Sequence, residues 1–556
     1  MLKLEAMAIS PGLAKGKLLV IGDNLKAPPK TTISDAASEC VRTFNAIERA
    51  KTELSTLYES TLESIGEDAA AIFEVHCMMM EDEDFTDSIR GIIETELLSA
   101  EYAVHSTGEQ FAAMFEATGS EVMRGRATDV RDLAQRIICI LRGVNTSDSL
   151  SAENEPVVVA AEELLPSQTV QMDKSLVLAF VCKRGSISSH AAILARTLGI
   201  PAVSNLGDGF ACLKNGDEVI VDGNDGLVIL MPDQEAVEQH ERKSQSLAEK
   251  EDQLKKLRGL PAETTDGKRV KLYANIGHPN EVEAALSHDA QGVGLFRSEF
   301  LYFDGDDFPC EEVQLEAYKT VLEAFAPRRV VVRTLDIGAD KQAPYFALHE
   351  EENPALGYRA IRICLDRPDI FEPQMRALLR ASVYGKLAVM FPMVTGVSEV
   401  RDIFNFAESI KQKLDCEGIK YAKDIEFGIM IETPAAVAVA PELASMVDFF
   451  SVGTNDLTQY VMAADRMNSK VDYLFDPANP AVLRMIKQAT RAAHDAGIWI
   501  GICGESATDL RLLPCYIAMG IDELSMNPNS ILRVKQTIRG LSAADCENAY
   551  EKLLQA

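Results

Sequence analysis

From Arg269 onward, short apolar runs recur between longer helical stretches, and this alternation restricts the fold more than any other feature of the chain. The runs are Val270–Ile276, Gly292–Phe296, Val330–Arg333, Leu387–Phe391, Phe427–Ile431, Phe449–Val452, Ile498–Ile502 and Glu523–Met526. Each has strand length, and each is followed by enough chain for a crossover helix. Eight strands with helices between them, in just under 300 residues, predict a (β/α)8 barrel of TIM type. An open doubly wound sheet is the competing architecture, and the strand count favours the barrel.

The first half has a different grain. Residues 1 to about 22 read as a strand pair around Ser10-Pro11-Gly12, ending in Lys17-Leu18-Leu19-Val20-Ile21. From Ser34 to about Gly143 the pattern is helical, with no proline at all, as in a helical bundle. After Pro156, Val157-Val158-Val159-Ala160, Leu176–Phe180 and Glu218–Val221 are strand-like, and Asn224-Asp225-Gly226 is a hairpin signal. The simplest division is an α/β domain made of residues 1–22 and 144–232, interrupted by a helical insertion at 23–143. Residues 233–260 are charged, without a sustained apolar stripe, and read as an exposed linker helix; a flexible linker is the alternative. Residues 261–556 are the barrel.

Composition then limits the partners. The 556 residues are 47% apolar and 25% charged, which excludes bulk disorder. Asp and Glu number 85 against 55 Lys and Arg, a net charge of −30, which argues against nucleic-acid or anionic-membrane binding. An anionic substrate must therefore be held by a local cluster of basic residues. The eleven cysteines contain no C-x-x-C pair, and Cys77, Cys182, Cys364 and Cys503 sit in apolar surroundings, as reduced thiols do. The first residues lack the apolar core of a secretory leader and no run is long enough to span a bilayer, so a cytoplasmic protein is expected.

Active sites of (β/α)8 barrels lie at the C-terminal strand ends. There the sequence places Arg297, Arg333, Glu432, Asn455-Asp456 and Cys503, with Arg359 in Gly357-Tyr358-Arg359-Ala360 and Arg466 in Ala464-Asp465-Arg466. Any one of these fits a loop ion pair. Four arginines, two separated acids and a thiol on one rim instead suit a small, highly charged anion, because guanidinium forks match phosphate and carboxylate oxygens. Glu432 and Asp456 suit Mg²⁺, which takes one or two carboxylates and completes its shell with substrate oxygens and water; pairing with the nearby arginines is the alternative. Cys503 reads as a buried structural thiol or, beside an anion site, as an acid.

A second site lies in Arg184-Gly185-Ser186-Ile187-Ser188-Ser189-His190-Ala191-Ala192-Ile193-Leu194-Ala195-Arg196. Glycine and serines ahead of an apolar helix mark an N-terminus, with Ser188 as N-cap. His190 then falls in the first turn, where the helix dipole favours a neutral ring and stabilises a phosphoryl group placed on it. The same pattern fits a capping or core histidine. Gly12-Leu13-Ala14-Lys15-Gly16-Lys17 is one residue short of a P-loop, and Gly292-Val293-Gly294 lacks the third glycine of a dinucleotide fingerprint, so both are rejected.

The chain closely resembles the Enzyme I family of the phosphoenolpyruvate:sugar phosphotransferase system, nearly end to end. The resemblance is carried by Ser188–Arg196, Gly294-Leu295-Phe296-Arg297-Ser298-Glu299-Phe300-Leu301, Arg333-Thr334-Leu335-Asp336-Ile337-Gly338 and Ser451-Val452-Gly453-Thr454-Asn455-Asp456-Leu457-Thr458-Gln459-Tyr460. It implies that His190 takes phosphate from phosphoenolpyruvate and passes it to a histidine of the carrier HPr, releasing pyruvate as the first step of sugar uptake. It further implies that Arg297 and Arg333 hold the phosphate with Arg359 near by, that Asn455 and Arg466 hold the carboxylate, and that Glu432 and Asp456 bind Mg²⁺. Cys503 would protonate the enolate carbon. The inserted helices would dock HPr through Glu67, Asp68, Met78, Met79, Glu83, Asp84, Arg126 and Arg131, with His76 a structural or docking histidine. A barrel-mediated homodimer is also implied. The sequence departs from the family where Ser186 follows Gly185, in place of a second glycine, and where Ile187 and Ser188 come next. Pyruvate phosphate dikinase and phosphoenolpyruvate synthase share the phosphohistidine and barrel modules but need an ATP-binding domain, for which no segment is left. A phosphoenolpyruvate sensor without flux is a third reading.

Overall fold

The computed structural model describes every residue except 22–26, 65–66, 118–120, 144–154, 163, 165–171, 173–175, 186–191, 193–194, 197–198, 304, 306, 340–343, 347, 350, 467, 469 and 556. The side chains of 60–64, 67–72, 74 and 121–125 are likewise outside the description. Two compact units result, Met1–Ala248 and Glu249–Ala556.

The first unit holds a sheet of eight strands: β1 (Leu2–Glu5), β2 (Met7–Ser10), β3 (Leu13–Ile21), β4 (Val157–Ala161), β5 (Val177–Cys182), β6 (Ala202–Ser204), β7 (Glu218–Asp222) and β8 (Leu227–Leu230). Their order is β1-β8-β7-β3-β4-β5-β6-β2. The strand pair expected around Ser10-Pro11-Gly12 does not form: β2 pairs with β6, and β3 pairs with β7 and β4. The physical reason is long-range pairing. Gly12, at φ +134°, turns the chain from edge strand β2 to interior strand β3, and a Cβ there would meet Pro201 at 2.7 Å. Asn224-Asp225-Gly226 does close a hairpin, β7 to β8, with Asp222 opposite Leu227. Alternation along β4 serves two cores, Val157, Val159 and Ala161 on one and Val158 and Ala160 on the other.

Between β3 and β4, which are parallel neighbours, come five helices: α1 (Ala36–Ser64), α2 (Glu67–Glu81), α3 (Glu83–Glu96), α4 (Ala100–Ala117) and α5 (Glu121–Arg142). They share a core of their own around Leu54, Phe73, Ile89, Val104 and Ile137. Gly108 lets α4 approach α5, since a Cβ there would lie 2.7 Å from Ala134 Cβ. The acidic run Glu81-Asp82-Glu83-Asp84 ends one helix and opens another, with Asp82 capping the N–H groups of Asp84 and Phe85. The charged segment after β8 forms α6 (Gln234–Lys255), whose Lys243 pairs with both Asp222 and Asp225 at the β7–β8 turn.

The second unit is a closed barrel of eight parallel strands: β9 (Lys271–Ile276), β10 (Val293–Arg297), β11 (Arg329–Arg333), β12 (Lys386–Phe391), β13 (Glu426–Ile431), β14 (Phe449–Val452), β15 (Trp499–Ile502) and β16 (Glu523–Met526). Closure excludes the open-sheet alternative. Strands buried on both faces read as continuous apolar runs, and here Val330 and Val332 face the helices while Val331 faces the barrel interior.

The interior also contains an acid, Glu523, only 3% exposed, whose Oε2 has no hydrogen-bond partner among the described residues. Burial pushes it up to about 8, against the pull of Arg329 and Lys271. The native chain then binds a proton that the unfolded chain releases. That contribution to stability is complete below the ordinary glutamate range, at pH about 4.5, and is gone once pH passes about 8. Glu523→Gln should therefore match the parent near pH 5 and exceed it by a few kcal/mol, at about 1.4 per pH unit, by pH 8. Urea unfolding at several pH values checks this; a difference that does not grow with pH contradicts it.

Candidate active site at the barrel rim

Strand register sorts the sequence-predicted residues into two aligned groups. Arg297 and Arg333, the last residues of β10 and β11, are direct partners. Ile431 is opposite Val452 and Val452 opposite Ile502, so the residues that follow, Glu432, Gly453 and Cys503, share one level. Asn455 and Asp456 sit in the first turn of helix Thr454–Met462. Arg359 precedes helix Ile361–Asp366, and its neighbour Ala360 takes a positive φ of 54°.

Acids and arginines interleave across this rim. Arg333 pairs with Glu299 at 3.1 Å and with Asp336 at 2.7 Å. Asp336 also receives Arg359 at 2.8 Å, and Arg359 lies 3.6 Å from Asp456, which in turn is 3.9 Å from Arg466. Burial alone would lower Arg333, but Asp336, Glu299 and Glu432 outweigh it and hold the guanidinium charged. Burial likewise pushes Asp336 up, and Arg333 and Arg359 more than reverse this. Beneath the ion pairs runs a buried hydrogen-bond network. Ser298 Oγ donates to Arg333 O at 2.8 Å, Gln374 Nε2 donates to Ser298 Oγ at 3.1 Å, and Gln374 Oε1 accepts Leu335 N at 3.0 Å. The end of β11 is thus rigidly placed.

Glu432 differs from its neighbours. It is 1% exposed and accepts the Met393 N–H at 2.5 Å. Burial, then Asp336 and Asp456, push its carboxyl up to about 8. Gly453 leaves the space beside it open, since a Cβ there would lie 2.8 Å from Glu432 Oε2. Among the described residues no three His, Cys, Asp or Glu side chains are grouped as a ready-made metal cage. A crowded buried acid beside Asp456 nonetheless fits a hard divalent cation, which needs only one or two carboxylates from the protein. A cation there would favour the ionised form of Glu432, which burial, Asp336 and Asp456 oppose.

Cys503 is buried, and burial pushes its thiol up to about 11, with Ser451 and Arg333 acting in the opposite sense. It therefore remains an S–H near neutral pH. The eleven cysteines, all among the described residues, form no disulfide. Arg297 and Arg466 are exposed at the rim, and Asn455 is half-buried.

His190 lies outside the described residues, as do Ser186 and Ser188. Ala192 and Ala195, in the stretch that follows, are buried in the sheet core. Met78, Glu83 and Asp84 are exposed near the α2–α3 junction, Met79 is half-buried, and Arg126 and Arg131 lie on α5. Arg131 is engaged with Glu109 and Glu116. The side chains of Glu67 and Asp68 are not described. His76 is 1% exposed, edge-on to Phe73, which leaves it a structural role in the bundle core rather than a docking one.

Sequence reading gave no role to Asp336 and Glu299, which organise the buried arginines. Their signal was present: Asp336 stands three residues beyond Arg333, and Glu299 two beyond Arg297, at strand ends already marked as a charged rim.

Three family models match the chain: PEP-utilising enzyme, N-terminal, at residues 5–126; PEP-utilising enzyme, mobile domain, at 153–226; and PEP-utilising enzyme, PEP-binding domain, at 251–543. Together with the fold these define the class, a PEP-utilising enzyme. The phosphoenolpyruvate-protein phosphotransferase of Staphylococcus carnosus (strain TM300) is 42% identical over 553 residues, 100% of this chain and 96% of that protein. The phosphoenolpyruvate-protein phosphotransferase of Geobacillus stearothermophilus is 44% identical over 551 residues, 99% of this chain and 95% of that one. The chain belongs to the phosphoenolpyruvate-protein phosphotransferases, the Enzyme I family, and is a transferase. No described helix is long and apolar enough to cross a membrane.

Proposed function

We propose that the chain moves the phosphoryl group of phosphoenolpyruvate to His190 and then to a histidine of HPr, releasing pyruvate in the cytoplasm. The observation that carries this reading is the rim of β10–β15, where Arg297 and Arg333 are register partners and Arg333 interacts electrostatically with Glu432 and Cys503.

Arg297 and Arg333 bind the phosphate with Arg359, and Asn455 and Arg466 bind the carboxylate. Glu432 and Asp456 hold Mg²⁺, which when bound neutralises charge on the substrate oxygens. A ring nitrogen of His190 bonds to phosphorus as the bridging P–O bond breaks, and the electron pair leaves on the enolate oxygen. The barrel arginines balance that charge in place. The Cys503 S–H then gives its proton to the enolate carbon, the carbonyl forms, and the thiolate recovers a proton from solvent. A thiol pushed up to about 11 by burial is suited to this, because it remains protonated until a strongly basic carbon arrives.

Residues 1–22 and 144–232 form the phosphohistidine domain, 23–143 the HPr-binding subdomain, 233–260 the linker helix, and 261–556 the phosphoenolpyruvate-binding domain, which also mediates a homodimer. Exposed Met78 beside Glu83 and Asp84 supports an acidic-rimmed apolar contact for a basic face of the carrier.

Cys503→Ala tests the reading. It should bind phosphoenolpyruvate within about threefold of the parent yet form pyruvate at least about 100-fold more slowly, the usual scale of a lost general acid. Unchanged pyruvate formation removes Cys503 as the acid.

A further inference from the structure

The main chain of Cys503 is held from two sides. Its N–H donates to Val452 O at 3.1 Å, and its carbonyl accepts Asn275 Nδ2 at 2.9 Å. Asn275 belongs to β9, and β16 lies between β9 and β15 in the closed sheet, so this side chain reaches past a strand inside the barrel. Its amide has one permitted orientation. Ser525 Oγ, fully buried on β16, donates to Asn275 Oδ1 at 2.5 Å, which leaves Nδ2 facing Cys503. On the other side of Cys503, Gly504 is pressed against Thr454, where a Cβ would come within 2.0 Å of Oγ1. The support also explains Gly294, left unused by the rejected dinucleotide pattern. A Cβ on Gly294 would fall 2.5 Å from Ser525 Oγ and 2.2 Å from Glu523 Oε1, so only glycine admits this cluster.

We propose that Asn275, oriented by Ser525, is a positioning residue that holds the Cys503 thiol against the reacting carbon. The inference rests on the reading of Cys503 as the proton donor. The carbonyl that Asn275 grips is attached to the same Cα as the thiol side chain, so a peptide free to rotate displaces Sγ. A displacement of about 1 Å of a reacting group costs on the order of 100-fold in rate. Among the described residues Asn275 hydrogen-bonds to Cys503 and Ser525 and not to the rim arginines or acids, so substrate affinity should survive its loss.

The test separates proton transfer from binding in His190→Ala protein, which cannot be phosphorylated. Exchange of the pyruvate methyl hydrogens in D2O with Mg²⁺, followed by NMR, reads the thiol step; calorimetry with phosphoenolpyruvate and Mg²⁺ reads the rim. Asn275→Ala should slow exchange at least about tenfold while affinity stays within about threefold, and Ser525→Ala should slow it less, in the same direction. Exchange that is unchanged, or that falls together with affinity, overturns the inference. Should Asn275→Ala fail to fold, Ser525→Ala decides on the same criterion. Cys503→Ala must abolish exchange; persistence of exchange there refutes the proton-donor reading instead of the role of Asn275.

Discussion

Replacing His190 with alanine should remove acid-labile phosphate from the protein entirely, and with it all phosphorylation of HPr, while phosphoenolpyruvate still binds. The separation follows from the architecture. His190 belongs to the unit Met1–Ala248, whereas the arginines, acids and thiol of the rim belong to the barrel unit Glu249–Ala556. Among the described residues the rim ion pairs and the hydrogen bonds beneath them join barrel residues, so the proposed substrate site does not draw on the acceptor. Calorimetry should give a phosphoenolpyruvate affinity within about threefold of the parent, as expected when only groups outside the binding site change. Residual phosphohistidine in His190→Ala would refute the assignment of the acceptor.

Arg333→Met should produce the second large effect, on catalysis and stability at once. Arg333 is 14% exposed, paired with Glu299 and Asp336, and beside Glu432. Removing it leaves Glu299 without this cation and Asp336 with Arg359 alone, and breaking one side of a buried pair costs about 3–5 kcal/mol. On the proposed function it also takes away a phosphate ligand where negative charge develops, worth about 100- to 1,000-fold in turnover. Arg333→Lys separates the two effects. A lysine restores positive charge and part of the stability, but its single ammonium cannot serve two carboxylates and a phosphate with one planar fork. Turnover should therefore stay low in Arg333→Lys while urea unfolding moves back toward the parent. Normal turnover in either variant would remove Arg333 from the site.

The barrel was legible because parallel strands covered on both faces are continuous apolar runs, and because function in this fold collects at one end of them. Arg297, Arg333, Glu432 and Cys503 could be placed by counting to the end of each run, and register then paired Arg297 with Arg333 and aligned Glu432 with Cys503. The N-terminal sheet was not legible in the same way. Ser10-Pro11-Gly12 is an ordinary turn signal, but the partners of β2 and β3 lie far along the chain, Ala8 opposite Val203, Lys17 opposite Val157 and Leu13 opposite Asp222, and no local pattern encodes that pairing. Asp336 and Glu299 escaped for a related reason: an acid that neutralises a buried arginine has no spacing of its own. Gly294 had no role once the dinucleotide pattern was rejected, because its task, to admit Ser525 and Glu523, shows only in the closed barrel. Asn275 carried no signal at all, because its importance arises only when β9 and β15 close on the same interior.

The most direct measurement is to incubate the purified protein with Mg²⁺ and phosphoryl-labelled phosphoenolpyruvate, with and without HPr, following acid-labile protein phosphate and pyruvate together. The account predicts label on His190, one pyruvate released per phosphoryl group, and discharge of the label when HPr is added. Phosphoenolpyruvate bound without label on His190, or label that HPr does not remove, would contradict it.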